Sequence, residues 1–71
     1  MPIRIVNKLR YYRERCALSQ EQLAQLSGVH KLTIYRIERE RTRLPYPKTR
    51  TKIATALNVQ VYRVFPPVYL R

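Results

Sequence analysis

The sequence has few of the residues that build catalytic and metal sites. Its 71 residues contain no Trp and no Asp, only one Gly, one His and one Cys, and four acidic side chains, all of them Glu. By itself the chain therefore cannot assemble a Cys/His zinc site, a Ser-His-Asp triad or an aspartate dyad. Cys16 has no partner for an intramolecular disulfide, and we predict that it is a small core residue. We expect no enzymatic activity, no metal ion and no cofactor.

Long apolar segments are missing as well. No apolar run approaches the ~18 residues of a membrane span, and none follows the pattern of a signal peptide. We therefore expect no membrane association and a cytoplasmic location. A chain of 71 residues that is 45% hydrophobic can bury one modest core. Residues 1–71 are accordingly predicted to form a single domain.

Positive charge is what the sequence has in excess. Fifteen Lys and Arg against four Glu give a formal net charge of +11 at pH 7. Residues 41–71 hold seven of these basic side chains and no acidic one. Solubility alone needs far less charge. The excess indicates a polyanionic partner.

The first half of the chain predicts two short helices. Ile5, Leu9, Tyr12 and Cys16 recur at steps of four, three and four, which indicates a first helix over roughly residues 5–17. The stretch Ser19-Gln20-Glu21-Gln22 has the spacing of a capping box, so a second helix is predicted to begin at about Gln20. Its apolar positions are Leu23, Ala24 and Leu26. It is predicted to end at Gly28, because glycine adopts the left-handed conformation at least cost.

Three further helices are predicted after Val29. The third covers about ten residues, with Ile34 and Ile37 facing inward. The fourth has Pro47 at its first position and a stop at Asn58. Its predicted buried residues are Ile53, Ala54 and Leu57. A last turn over residues 61–65 closes the core, and the tails over residues 1–5 and 66–71 are predicted to be extended. The predicted fold is all-α, with five short helices around one core.

The stretch Gln20 to Arg39 has the residues that a helix-turn-helix unit needs. Leu23 would bury the first helix of the unit, and Ala24 is small where the second helix crosses it. Gly28 would form the turn, and the Val29 side chain would fill the space beneath it. Ile34 and Ile37 would hold the second helix from beneath.

Three separated blocks resemble the lambda repressor and Cro-like (XRE-type) helix-turn-helix family. They are Leu18-Ser19-Gln20-Glu21-Gln22-Leu23-Ala24-Gln25-Leu26-Ser27-Gly28-Val29, Thr33-Ile34-Tyr35-Arg36-Ile37-Glu38 and Lys52-Ile53-Ala54-Thr55-Ala56-Leu57-Asn58-Val59. The resemblance covers roughly residues 6–65, with the helix-turn-helix at 20–39. It implies a lambda-repressor-like domain that binds double-stranded DNA sequence-specifically as a transcriptional regulator, with repression as the expected mode. It also implies a homodimer on DNA and a prokaryotic or phage-encoded, nucleoid-associated protein.

The resemblance and the residue chemistry together give candidate site residues. The candidate base-reading residues are Lys31, Leu32, Thr33, Tyr35 and Arg36. Lys31 and Arg36 can donate to guanine, and Leu32 can contact a thymine methyl group in the major groove. The candidate phosphate-binding residues are Gln20, His30, Arg39, Arg41, Arg43 and Lys48. His30 is either an N-cap or a phosphate contact, and Arg13 and Glu38 resemble a pair that in the family joins the first helix to the third.

Two positions depart from the family pattern. Glu40 stands where the family usually has glycine, so the third helix is predicted to run a further half-turn towards Leu44-Pro45. Arg50 stands where the fourth helix usually has an apolar residue. Leu44 or Tyr46 is therefore predicted to fold back and fill that space.

Two other functions fit parts of the sequence. An antitoxin of a toxin-antitoxin pair would bind a partner protein as well as its operator. A basic RNA-binding protein would also use the net charge of +11. The second is disfavoured because readers of RNA usually expose aromatic side chains on a sheet, and no sheet is predicted.

Overall fold

Five helices follow one another in the computed structural model, which describes residues 7–39 and 45–66 of the chain. They are α1 (Leu9–Arg15), α2 (Gln20–Ser27), α3 (Lys31–Glu38), α4 (Pro47–Ala56) and α5 (Val61–Val64). Within these two ranges there is no strand, and the predicted all-α class is confirmed. The predicted tails, apart from Pro66, lie outside the described residues.

Helix α1 is shorter than the sequence pattern predicts. It begins at Leu9, whose backbone N–H donates to Asn7 Oδ1 at 3.1 Å, and it ends at Arg15. Cys16 is only the C-cap, and the chain turns away at Ala17, which has a φ of 56°. The prediction that Cys16 is a core residue is wrong, because the helix ends before it and leaves the side chain exposed.

Helix α2 has the predicted ends. Ser19 Oγ accepts from the backbone N–H of Gln22 at 3.0 Å, and Gln22 Oε1 accepts from the backbone N–H of Ser19 at 2.8 Å, which completes the capping box. Gly28 ends the helix in the left-handed conformation with a φ of 73°. A side chain there would be strained, which accounts for glycine at this turn. Leu26 does not join the core, since it is 63% exposed.

Helix α3 ends at Glu38, with Arg39 as its C-cap. The predicted extra half-turn is therefore not found. The backbone N–H of Arg39 still donates to the carbonyl of Tyr35 at 3.0 Å. The following residues, 40–44, which include Arg41, Arg43 and Leu44, lie outside the described residues.

Helix α4 begins and ends as predicted. Pro47 occupies its first turn, and after the C-cap Leu57 the chain turns at Asn58, which has a φ of 57°. The prediction that Tyr46 fills space in the core is wrong, because Tyr46 is the N-cap of α4 and is 82% exposed. Pro45 is buried instead, and Arg50 is half-buried.

One apolar core joins all five helices. Its members are Leu9, Leu23, Val29, Ile34, Ile37, Ile53, Ala54, Leu57, Val64 and Phe65. Helix α2 packs against both α3 and α4, α1 packs against α3, and α5 packs against α4. The backbone N–H of Lys8 donates to the carbonyl of Val64 at 2.8 Å, which joins the start of α1 to α5. None of the described helices is long and apolar enough to cross a membrane.

Candidate nucleic-acid interface

The unit formed by α2, the turn and α3 fixes the direction in which α3 presents its outer face. Leu23, on the inner face of α2, is fully buried, and Val29 in the turn is 8% exposed. Ile34 and Ile37 are buried along the inner face of α3. Side chains three and four residues apart share one face of a helix. The opposite face of α3 is therefore left to solvent.

The outer face of α3 brings together four of the five candidate base-reading residues. Lys31, Leu32, Tyr35 and Arg36 are exposed there, and Leu32 and Tyr35 keep 47% and 42% of their surface. Thr33 is the fifth, and it is half-buried. An exposed Leu and Tyr between basic side chains give this face both donors and apolar surface, which are the two kinds of group that read bases in the major groove.

His30 caps the N-terminus of α3. Its Nδ1 accepts from the backbone N–H of Leu32 at 3.0 Å. An Nδ1 that accepts carries no proton, so the proton of the neutral imidazole lies on Nε2. The N-cap alternative for His30 is thus the one that the geometry shows, and Nε2 remains a donor on an exposed side chain.

The C-terminal end of α3 is held by a charged pair with α1. Arg13 Nε donates to Glu38 Oε2 at 2.6 Å, and Arg13 Nη2 donates to Glu38 Oε1 at 3.1 Å. The two side chains are only 12% and 5% exposed. The hydrogen bond to Glu38 raises the pKa of Arg13 above its ordinary value, so the guanidinium stays charged. A bidentate pair with little solvent fixes orientation as well as distance.

Two more groups complete the contacts of this pair. Arg13 Nη1 donates to the carbonyl of Leu18 at 2.7 Å, which ties the loop before α2 to α1. Gln20 Nε2 donates to Glu38 Oε1 at 3.1 Å. Glu38 therefore connects the end of α3 to both α1 and the start of α2.

Asn7 is a positioning residue that the sequence pattern did not reveal. Its Nδ2 donates to the carbonyl of Ile37 at 2.8 Å, while its Oδ1 accepts from the backbone N–H of Leu9. One amide thus accepts from the first backbone N–H of α1 and holds the last turn of α3. The available signal was an Asn two residues before an apolar helix start, since an Asn side chain commonly accepts from the backbone N–H two residues later. This signal was missed because the first helix was predicted to begin at about residue 5, which placed Asn7 inside the helix.

Replacing Asn7 with alanine is expected to lower the free energy of unfolding by about 2 kcal/mol, because its hydrogen bonds to Leu9 and Ile37 are both lost. Lys8→Ala is the matched control, since Lys8 is exposed and its backbone bond to Val64 is retained. Urea denaturation of both variants measures the effect. Equal losses for the two variants would show that the Asn7 amide does not hold α3.

The candidate phosphate-binding residues lie at the ends of helices. Gln20 begins α2, His30 precedes α3, Arg39 follows α3, and Lys48 is exposed in the first turn of α4. Arg41 and Arg43 lie outside the described residues. In the part of the chain that the structure describes, no group of three His, Cys, Asp or Glu side chains could hold a metal ion.

Comparison with known families places these elements in one class. A sequence model described as Helix-turn-helix matches residues 9–63, from the start of α1 into α5. The chain belongs to this helix-turn-helix family of DNA-binding transcriptional regulators, and the family assignment made from the sequence is confirmed. Regulators of this family bind double-stranded DNA.

Two solved structures are similar to the chain. One is the restriction-modification controller protein C.AhdI from Aeromonas hydrophila, with 34% sequence identity and a TM-score of 0.74 over 82% of this chain and 86% of that chain. The other is the hypothetical transcription factor NHTF from Neisseria, with 30% identity and a TM-score of 0.72 over 83% and 67% of the respective chains. No curated protein sequence matches the chain significantly.

Proposed function

We propose that the protein recognises a specific DNA sequence by inserting α3 into the major groove, and that it represses transcription by occupying its site. The observation that carries this proposal is the outer face of α3, where Lys31, Leu32 and Arg36 are exposed on a helix fixed at both ends. A rigid helix gives base contacts a defined register. Repression by occupancy needs no chemistry on the DNA, in keeping with the expectation that the protein is not an enzyme.

The side chains of this face match the pattern of acceptors and methyl groups in the major groove. Arg36 can donate two hydrogen bonds to guanine O6 and N7, and Lys31 can donate to the same atoms. Leu32 supplies an apolar contact for a thymine methyl group. In this proposal Arg36 contributes most to base discrimination, since a bidentate contact rejects the other bases most strongly.

Contacts to phosphates would set the register of the protein on the duplex. His30 Nε2, Arg39 and Lys48 are donors at the ends of α3 and α4, and Gln20 is anchored to Glu38 at the start of α2. Such contacts carry no sequence information but supply affinity that falls as salt rises. The net charge of +11 supports a large electrostatic share of binding.

The proposal includes a homodimer on DNA. One recognition helix reads a short half-site, and two helix-turn-helix units bind half-sites about one helical turn apart, about 10 base pairs. The two similar structures are a controller protein and a hypothetical transcription factor, which supports a regulatory role for this chain. A regulator of this kind would act in the cytoplasm, at the nucleoid of a prokaryotic cell.

Selection from a pool of random duplexes tests the proposal. The full chain is expected to enrich one motif, arranged as an inverted repeat with half-site centres about 10 base pairs apart. The enriched duplex, called the selected duplex below, should bind more tightly than a random duplex or a double-stranded RNA of equal length. No enrichment together with equal affinity for DNA and RNA would favour the general polyanion binder instead.

A further inference from the structure

The C-cap arginine of α3 lies beside a tyrosine at the edge of the helix's outer face. Arg39 Cζ lies 5.8 Å from the centroid of the Tyr35 ring, one helical turn away. The ring is 42% exposed and Arg39 is exposed, so the contact is formed at the surface. A guanidinium within about 6 Å of the centroid of an aromatic ring is attracted by the negative face of that ring.

Glu38, the acidic neighbour of Arg39 among residues 7–39 and 45–66, is already engaged. Both carboxylate oxygens of Glu38 accept hydrogen bonds, from Arg13 and from Gln20. The Tyr35 ring is therefore the contact that the described residues provide for this guanidinium. The attraction of the ring is electrostatic and uses none of the oxygen acceptors, so the N–H donors of the guanidinium can bind a phosphate.

We propose that Tyr35 is a positioning residue, which holds the Arg39 guanidinium ready to bind a DNA phosphate at the edge of the major groove. This inference rests on the proposed function, and it assigns Tyr35 a role other than base reading. An arginine held in place before binding loses less conformational freedom when it contacts DNA.

The chain offers a matched control on another helix. Arg15 Cζ lies 5.5 Å from the centroid of the Tyr11 ring, and Tyr11 is 53% exposed. This pair belongs to α1, and Arg15 Nη1 also donates to the Tyr11 hydroxyl at 3.1 Å. Tyr11→Leu therefore removes an arginine–tyrosine contact outside α3, and it should leave DNA affinity unchanged.

The experiment measures binding of the full chain to a random duplex and to the selected duplex by fluorescence anisotropy. Arg39→Ala is expected to weaken binding to both duplexes and to reduce the log-log salt slope by about one unit. Tyr35→Leu is expected to weaken binding to both about two- to fivefold. Tyr35→Phe keeps the ring and should bind like the wild type. In an Arg39→Ala background, Tyr35→Leu should have no further effect.

A spectroscopic measurement separates positioning from a merely structural role. In the free protein, the ring current of Tyr35 should shift the NMR signals of the Arg39 side chain, and Tyr35→Leu should abolish that shift. Thermal melting should show that the exposed Tyr35 and Arg39 positions tolerate the changes.

Three results would contradict these expectations, and each leads to a stated conclusion. If Tyr35→Leu still weakens binding in the Arg39→Ala background, and does so more on the selected duplex, Tyr35 reads bases and the inference is overturned. An unchanged affinity for Arg39→Ala overturns it as well. Failure of the wild type to bind any duplex would instead refute the proposed function.

Discussion

Replacing Arg13 with alanine is expected to lower the free energy of unfolding by about 3 kcal/mol. Glu38 is 5% exposed, so the change would leave a carboxylate nearly out of water, with Gln20 as its remaining side-chain partner among the described residues. Unpairing a buried charge costs about 3–5 kcal/mol, and the partial exposure of Arg13 favours the lower end. In a chain of this size the loss corresponds to a fall in melting temperature of roughly 12–24 °C.

The double variant separates the pair energy from the cost of each truncation. Glu38→Ala should also be strongly destabilising, while Arg13→Ala/Glu38→Ala should lose about 2 kcal/mol less than the sum of the two single changes. Thermal and urea denaturation measure all three. Additive losses would mean that the two side chains are independent and that the pair does not hold α3.

The same helix provides the control for this cycle. Arg10 and Glu14 form an ion pair at 3.1 Å, but their side chains are 72% and 56% exposed. An exposed pair of this spacing contributes only about 0.3–0.5 kcal/mol. Arg10→Ala should therefore have almost no effect on stability. A loss of stability as large as that of Arg13→Ala would contradict the claim that the Arg13–Glu38 pair stabilises the fold because it is shielded from water.

The parts of the fold that could be predicted are those set by local rules. Three of these features depend only on residues close by in the sequence. They are the capping box at Ser19 and Gln22, the left-handed Gly28 and Pro47 in the first turn of α4. Such signals can be read directly from the chain. The inward positions of Ile34 and Ile37 follow in the same way from helical spacing.

The predictions that were wrong depended on tertiary contacts. Periodicity placed Cys16 in the core, but an early end of α1 leaves it exposed. Leu44 or Tyr46 was expected to fill space beside Arg50; Tyr46 lies before α4 in solvent while Pro45 is buried, and Leu44 lies outside the described residues. The hydrogen bond from Asn7 to Ile37 joins residues 30 positions apart in the sequence, and no local sequence pattern indicates such a contact.

The candidate site was predictable to a similar degree. The exposed positions on α3 follow from the buried ones, and family resemblance pointed to Arg13 and Glu38. The position of Arg39 over the Tyr35 ring was not foreseen, because spacing alone does not show whether an arginine turns towards a ring or towards solvent. The actual DNA contacts of the α3 residues stay predictions.

Replacing Arg36 with alanine is expected to weaken binding to the selected duplex about 5- to 150-fold, which corresponds to roughly 1–3 kcal/mol for a bidentate contact with guanine. Binding to a random duplex should change little beyond the loss of one positive charge. Arg36 is exposed on α3, so the variant should fold normally. Lys48→Ala is the control, and it should weaken both duplexes alike and lower the salt slope by about one unit.

The ratio of the two affinities tests directly whether α3 reads the major groove. It is measured by titrating wild type and Arg36→Ala with the selected and the random duplex at one fixed salt concentration. A ratio that falls about 5-fold or more on substitution, with the Lys48→Ala ratio unchanged, is the predicted result. If Arg36→Ala weakened both duplexes equally, the helix Lys31–Glu38 would not be the element that reads the DNA.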